Sequence, residues 1–153
     1  MRDSLENDAP GIDPAVARRI GFGMIGLVAL GAVALLLLRK PPEPPPPEIA
    51  SDPLLLGGRE VFLSRCISCH GQKGKGDGPI AKSLTGKPVG DLTAAHWKHG
   101  DKAEQVRAVI ALGVPNTNMT AWGRTLSEEE LKGVTAYVFF LAGREMPPEL
   151  RKP

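Results

Sequence analysis

Two cysteines that are separated by two residues and followed directly by a histidine are the residues of this chain best suited to chemistry. They form the sequence Cys66-Ile67-Ser68-Cys69-His70, and the chain contains no other cysteine. Two thiols at this spacing can bond to the vinyl groups of a haem, and the adjacent imidazole can bind its iron. A thioredoxin-like pair would need a βαβ pattern and a zinc site would need a second cysteine pair, and the sequence offers neither. The motif predicts one covalently bound haem c.

The sequence on both sides of this motif resembles the class I mono-haem cytochrome c family over roughly the last hundred residues. Gly58 and Phe62, four residues apart, match the family's N-terminal helix, and Tyr137 matches the aromatic residue of its C-terminal helix. In the family these helices cross, and a glycine allows their close approach. The resemblance implies an all-α fold, a small cytochrome c-like helical domain wrapped around one covalently bound haem.

The resemblance also implies further residues at the iron. Met119, which lies far downstream between the second and third predicted helices, is expected to be the sixth ligand. A thioether there raises the reduction potential relative to a second histidine. His96 and His99 are the alternative ligands. The family usually has a proline after this methionine, whereas this chain has Thr120, which leaves the rigidity of the loop and the strength of the ligand bond open.

Two other features of the haem surroundings follow from the resemblance. In the glycine-rich segment 71–84, the Pro79 carbonyl is expected to accept a hydrogen bond from the second ring nitrogen of His70, which would tune the iron ligand. Trp97 and Trp122 are expected to be apolar walls of the haem pocket, because large aromatic side chains bury much area.

Three helices are predicted in the second half of the chain. The first runs from about residue 53 to residue 65, ending at the cysteine motif. The second begins at Asp101, which together with Glu104 fits a capping box, and it stops at a glycine, residue 113. The third begins after Ser127, which forms a capping box with Glu130, and ends at a glycine, residue 143. The segment 71–100 between the first two is predicted to be an ordered loop.

The N-terminal part predicts a membrane anchor. Residues 20–38 carry no charge and would span about 29 Å as a helix, close to the bilayer core of about 30 Å. The apolar run is too long for a cleaved signal peptide. The proline-rich stretch of residues 41–51 is predicted to be extended. The sequence thus divides into a cytoplasmic segment (1–19), a transmembrane helix (20–38), a proline-rich tether (39–51) and a cytochrome c domain (52–153).

These features predict one-electron transfer by a membrane-anchored c-type cytochrome rather than an enzyme with its own substrate. The expected partners are the membrane and other redox proteins or subunits of a respiratory or photosynthetic complex, with no small-molecule substrate; a tethered carrier between complexes is the other form of this role. The family's haem attachment implies a cytoplasmic membrane protein with a periplasmic haem domain. A haem-based sensor or peroxidase with a labile sixth ligand is the alternative. A net charge of +2 without basic blocks argues against nucleic-acid binding.

Overall fold

A computed structural model describes residues 14–38 and 44–151 of the chain. Every regular element within these two ranges is helical, which confirms the predicted all-α class. The chain divides into two compact units, one ending at Glu43 and the other beginning at Pro44. The predicted N-terminal segment of residues 1–19 lies largely outside the described residues.

The first unit contains one long helix, α1, over Pro14–Leu38. It includes the whole of the apolar run at residues 20–38, so the predicted helix is present. Among the residues that the structure describes, no helix is long and apolar enough to cross a membrane. The membrane-spanning role of α1 stays a prediction.

The second unit begins with a short helical turn, α2, over Pro47–Ala50. The prediction of an extended chain is wrong for these four residues. Their helical turn follows from the burial of Ile49, whose side chain is 2% exposed and belongs to the main hydrophobic core. The free energy of burying an isoleucine, about 1.5–3 kcal/mol, can therefore offset the preference of a proline-rich segment for extension. The first five residues of the predicted tether, 39–43, lie outside the described residues.

Two helices that cross closely form the centre of the second unit. They are α3, over Pro53–Val61, and α6, over Glu128–Leu141. Gly58 of α3 lies against the backbone of Gly133 of α6, where a Cβ atom would overlap the Gly133 carbonyl. One turn further, the rings of Phe62 and Tyr137 pack with centroids 5.4 Å apart. These contacts are the close helix crossing that the sequence resemblance implied.

Helix α6 begins where the sequence predicts. Ser127 Oγ accepts a hydrogen bond from the Glu130 N–H at 3.2 Å, and the Glu130 carboxylate accepts one from the Ser127 N–H at 2.8 Å. This reciprocal pair is the predicted capping box. The helix ends at Leu141, and Gly143 follows with a φ of +63°.

Helix α5, over Ala103–Leu112, starts two residues later than predicted. The capping box assigned to Asp101 and Glu104 is wrong, because the Asp101 carboxylate accepts hydrogen bonds from the Trp97 N–H and from Arg144, each at 2.9 Å. Gln105 instead accepts the N–H of Lys102 at the helix start. Asp101, the predicted capping residue, thus binds Arg144, which lies 43 residues away in the sequence.

Candidate haem site

The cysteine motif follows a change in helix type that the sequence did not reveal. After α3 the chain forms a π-helical turn over Phe62–Cys66 and then the short helix α4 over Ile67–His70. A π turn contains one residue more than an α turn, which rotates everything after it by about 100° around the helix axis. Cys66, Cys69 and His70 therefore face a different direction from the one that an uninterrupted helix would give them.

The glycine-rich loop after the motif folds back on α4 and satisfies its last carbonyls. The N–H of Gly76 bonds to the His70 carbonyl at 2.9 Å, and the N–H of Gly78 bonds to the Cys69 carbonyl at 3.1 Å. A Cβ atom on Gly78 would lie inside the backbone of Ser68 and Cys69. A glycine is needed here because two backbone segments touch. The loop fixes the end of the helix that carries His70.

Residues 113–123, the methionine loop, place Met119. The loop starts at Gly113, whose φ of +70° ends α5 and whose missing Cβ leaves room for the Met119 carbonyl. That carbonyl accepts the N–H of Val114 at 3.0 Å. Beyond Met119 the chain returns to α5, where the Trp122 N–H bonds to the Ile110 carbonyl at 3.1 Å. The Met119 side chain is partly buried and packs against the hydrophobic core.

One cleft brings the predicted haem ligands together. Cys66, Cys69, His70 and Met119 all line it, with Trp122 beside them. The cleft thus holds the donor set, two thiols, an imidazole and a thioether, that a covalently attached haem requires.

His70 supplies a direct test of whether a haem fits. Its Nδ1 atom is buried and makes no hydrogen bond to Pro79 or to any other described residue. Buried polar groups in native proteins almost always have a partner, so this atom marks the place of a missing one. Burial lowers the pKa of His70, and the Gly90 backbone opposes this lowering. The neutral imidazole is the form that binds a metal.

The two cysteines are free thiols in the structure. Burial, and to a lesser extent the nearby Cys69, raises the pKa of Cys66 to about 11. At neutral pH the Cys66 thiol is therefore protonated, which slows thiolate reactions such as disulfide exchange.

The other predicted residues lie away from the cleft lining. Pro79 is exposed and is not among the lining residues. His96 and His99 are also exposed, and His96 Nδ1 lies 3.3 Å from the Asp101 carboxylate. The expectation that Trp97 walls the pocket is wrong. Its ring packs edge-on against Phe139 at 5.2 Å and lies beneath the Arg144 guanidinium at 3.9 Å, because the Leu92 carbonyl accepts its indole N–H.

A further segment of the cleft lining, residues 84–90, was not predicted from the sequence. We call this segment the strap. Leu84 and residues 87–90 contribute to the cleft lining, as does Asn118 of the methionine loop. The Asn118 amide donates a hydrogen bond to the Thr85 carbonyl at 2.8 Å. No local pattern signals this bond, because its partners are 33 residues apart.

Two features define a c-type cytochrome domain. One is an all-helical unit whose first and last main helices are in close contact, and the other is a cleft lined by a C-x-x-C-H motif and a methionine. Residues 54–138 match the family described as cytochrome c oxidase, cbb3-type, subunit III. The chain belongs to this family. Membership implies covalently bound haem c with its iron.

Several curated relatives carry names from the same oxidase. The chain is 32% identical over 91 residues to the cbb3-type cytochrome c oxidase subunit FixP of Azorhizobium caulinodans, which covers 60% of this chain and 28% of the relative. It is 35% identical over 96 residues to subunit FixPc of Rhizobium leguminosarum bv. viciae, covering 61% and 30%. The chain therefore spans less than a third of the length of these relatives.

A solved structure also resembles the chain. The reducing HAO-like protein complex of Kuenenia stuttgartiensis contains a chain that superposes with a TM-score of 0.55 and 28% identity. The superposition covers 69% of this chain and 53% of the other.

Proposed function

We propose that this chain transfers single electrons through one covalently bound haem c, as a subunit of a cbb3-type respiratory oxidase or a close relative of that complex. When bound, the haem supplies the iron that is reduced and reoxidised. The protein itself carries out no reaction on a small molecule. Its contribution is to hold the haem, to set the iron's surroundings and to bring one haem edge near a redox partner.

Each predicted ligand has a role in this proposal. Cys66 and Cys69 would hold the haem through two thioether bonds, and His70 would provide one iron ligand. Met119 would provide another, since it is the methionine that lines the same cleft. The second ring nitrogen of His70 would donate to a backbone carbonyl, for which Pro79 is the predicted acceptor.

The observation that carries the proposal is the convergence of four donor side chains, those of Cys66, Cys69, His70 and Met119, on one cleft in which the Nδ1 of His70 is buried and unpartnered. The four donors come from segments about 50 residues apart, and this convergence supports a common ligand.

Two matched methionine substitutions test the ligand set. In the haem-loaded protein, the ferric form should show the weak far-red absorption band of a sulfur–iron bond. Met119→Leu should abolish this band, whereas Met146→Leu should keep it, since Met146 packs against the core but does not line the cleft. Loss of the band in both variants, or in neither, would contradict the assignment of Met119. Its absence from the unmodified protein would favour the sensor or peroxidase alternative.

We also propose that α1 anchors the protein to the cytoplasmic membrane, with the haem domain on the periplasmic side. Supporting this, the side chains of residues 26–38 are exposed, and Leu37 and Leu38 are 80% and 82% exposed. A contiguous exposed apolar surface of this kind is unfavourable in water. The full chain should stay in the membrane fraction after an alkaline carbonate wash, and its release would contradict the anchor.

Assembly state separates an oxidase subunit from a tethered carrier. Membranes solubilised in mild detergent are run on a native gel, stained for haem and probed for this chain. A haem band in a large complex that survives moderate salt supports the subunit role. A band near the mass of the chain alone supports a carrier that moves between complexes.

A further inference from the structure

We propose that Asn118 is a positioning residue that keeps Met119 in the haem cleft by tying the methionine loop to the strap. This inference rests on the proposed function, since it concerns the bond between the Met119 sulfur and the haem iron. It adds a determinant of how readily that sulfur leaves the iron.

The geometry places the Asn118 bond between two separate parts of the cleft lining. Asn118 lies next to Met119, and both line the cleft. Its Nδ2 donates to the Thr85 carbonyl at 2.8 Å, and Thr85 follows Leu84, which also lines the cleft. The bond therefore joins the segment that carries the methionine to a segment 33 residues earlier in the chain.

The other hydrogen bonds of the methionine loop fix its shape rather than its distance from the strap. Thr117 Oγ1 donates to the Val114 carbonyl at 2.8 Å and accepts the Met119 N–H at 3.1 Å. Both of these bonds lie inside the loop. The bonds of Trp122 and of Gly123 attach the end of the loop to α5. None of these bonds connects the loop to the strap.

The strap also shares the cleft with the histidine. Gly90, at its end, lines the same cleft as His70. The Asn118 bond thus ties the loop that carries Met119 to a segment that lines the cleft together with His70. Without the bond, the methionine loop is free to move relative to the strap, and the Met119 sulfur leaves the iron more often.

Thr85 offers a matched control because it accepts the bond through its backbone carbonyl. Asn118→Ala removes the donor, and Asn118→Asp keeps the shape of the side chain while leaving only acceptor oxygens. Thr85→Ala removes a side chain at the same contact but keeps the accepting carbonyl. Both positions are exposed, so the variants are expected to fold.

The experiment measures imidazole binding to the ferric, haem-loaded full chain in stopped flow. At saturating imidazole the rate is limited by departure of the methionine from the iron. We expect Asn118→Ala and Asn118→Asp to raise this limiting rate about two- to tenfold, the factor that the loss of one hydrogen bond corresponds to. Thr85→Ala should stay within about twofold of the unmodified protein.

The outcomes separate this inference from the proposed function. The far-red sulfur–iron band is recorded first on the unmodified protein, and its absence would overturn both. If the band is present and the limiting rate of both Asn118 variants equals that of Thr85→Ala, only the role of Asn118 is overturned. A shift of the denaturant midpoint in the Asn118 variants with an unchanged limiting rate would show a purely structural bond and would also overturn the inference.

Discussion

Replacing Gly58 by alanine tests the crossing between α6 and α3, the helix that leads into the cysteine motif. An ideal Cβ at this position would lie 1.9 Å from the Gly133 carbonyl oxygen and 3.0 Å from the Val134 nitrogen. An ordinary contact needs about 3.4 Å, so α3 and α6 would have to separate by roughly 1.5 Å at this point. The obstructing atoms belong to backbone, so no side-chain rotation can relieve the overlap.

The magnitude follows from two opposing effects. Alanine gains about 1 kcal/mol over glycine inside a helix. Overpacking a well-packed crossing typically costs about 1–3 kcal/mol, and separating the helices also weakens the contact between Phe62 and Tyr137. Since the overlap is with backbone, the cost lies at or above the upper end of this range. We expect Gly58→Ala to lower the free energy of unfolding by about 2 kcal/mol or more.

Gly57 provides the matched control, because it is the adjacent residue of the same helix and a Cβ there would meet nothing within 4 Å. Gly57→Ala should stabilise the domain by about 0.5–1 kcal/mol. Guanidinium unfolding of the haem-loaded protein, followed by helical circular dichroism and by haem absorption, measures both variants. A difference between them below about 0.5 kcal/mol would refute the argument that a backbone contact at Gly58 limits the crossing.

Three further predictions concern the cap, the acid stability and the cofactor. Ser127→Ala should destabilise the domain by about 1 kcal/mol in guanidinium unfolding, because the N-terminus of α6 loses its side-chain acceptor. The Trp97 N–H and then Arg144 lower the pKa of Asp101 to about 2, below an unfolded value of about 3.9. The ionised Asp101 therefore stabilises the folded domain above pH 4, and this stabilisation is lost as the pH falls towards 2. The difference in denaturant midpoint between the unmodified protein and Asp101→Asn should shrink over that range. Cys66→Ala with Cys69→Ala should leave the second unit largely unfolded by circular dichroism, because the cleft loses the group that fills it.

One feature that depends on near neighbours in the sequence was predicted correctly. The capping box at the start of α6 involves residues three apart, and the structure forms it at Ser127 and Glu130. The C-x-x-C-H motif likewise predicts haem attachment from five consecutive residues. The pairing of Phe62 with Tyr137 was available only through the family resemblance, since their positions in the chain say nothing about their contact.

Where a prediction from local sequence failed, contacts between distant segments explain the observed structure. Asp101 has the right type and spacing for a helix cap, but the Trp97 N–H and Arg144 occupy its carboxylate. Trp97 is an aromatic residue in the loop segment between the motif and α5, yet its ring packs on Phe139 because the indole N–H and the Arg144 guanidinium hold it there. Each of these outcomes depends on a group that the local sequence does not specify.

The sequence by itself determined the helical class and the boundaries of α6, and it predicts the haem attachment residues, because these depend on residue type and on spacings of a few residues. The tertiary structure decided the rest: the π turn that rotates Cys66, the burial of Ile49, and the bond from Asn118 to the strap. The Asn118 bond and the burial of Ile49 depend on groups that lie far apart in the sequence, and the π turn left no local signal. Folding must bring distant groups together before their hydrogen bonds and buried areas contribute free energy.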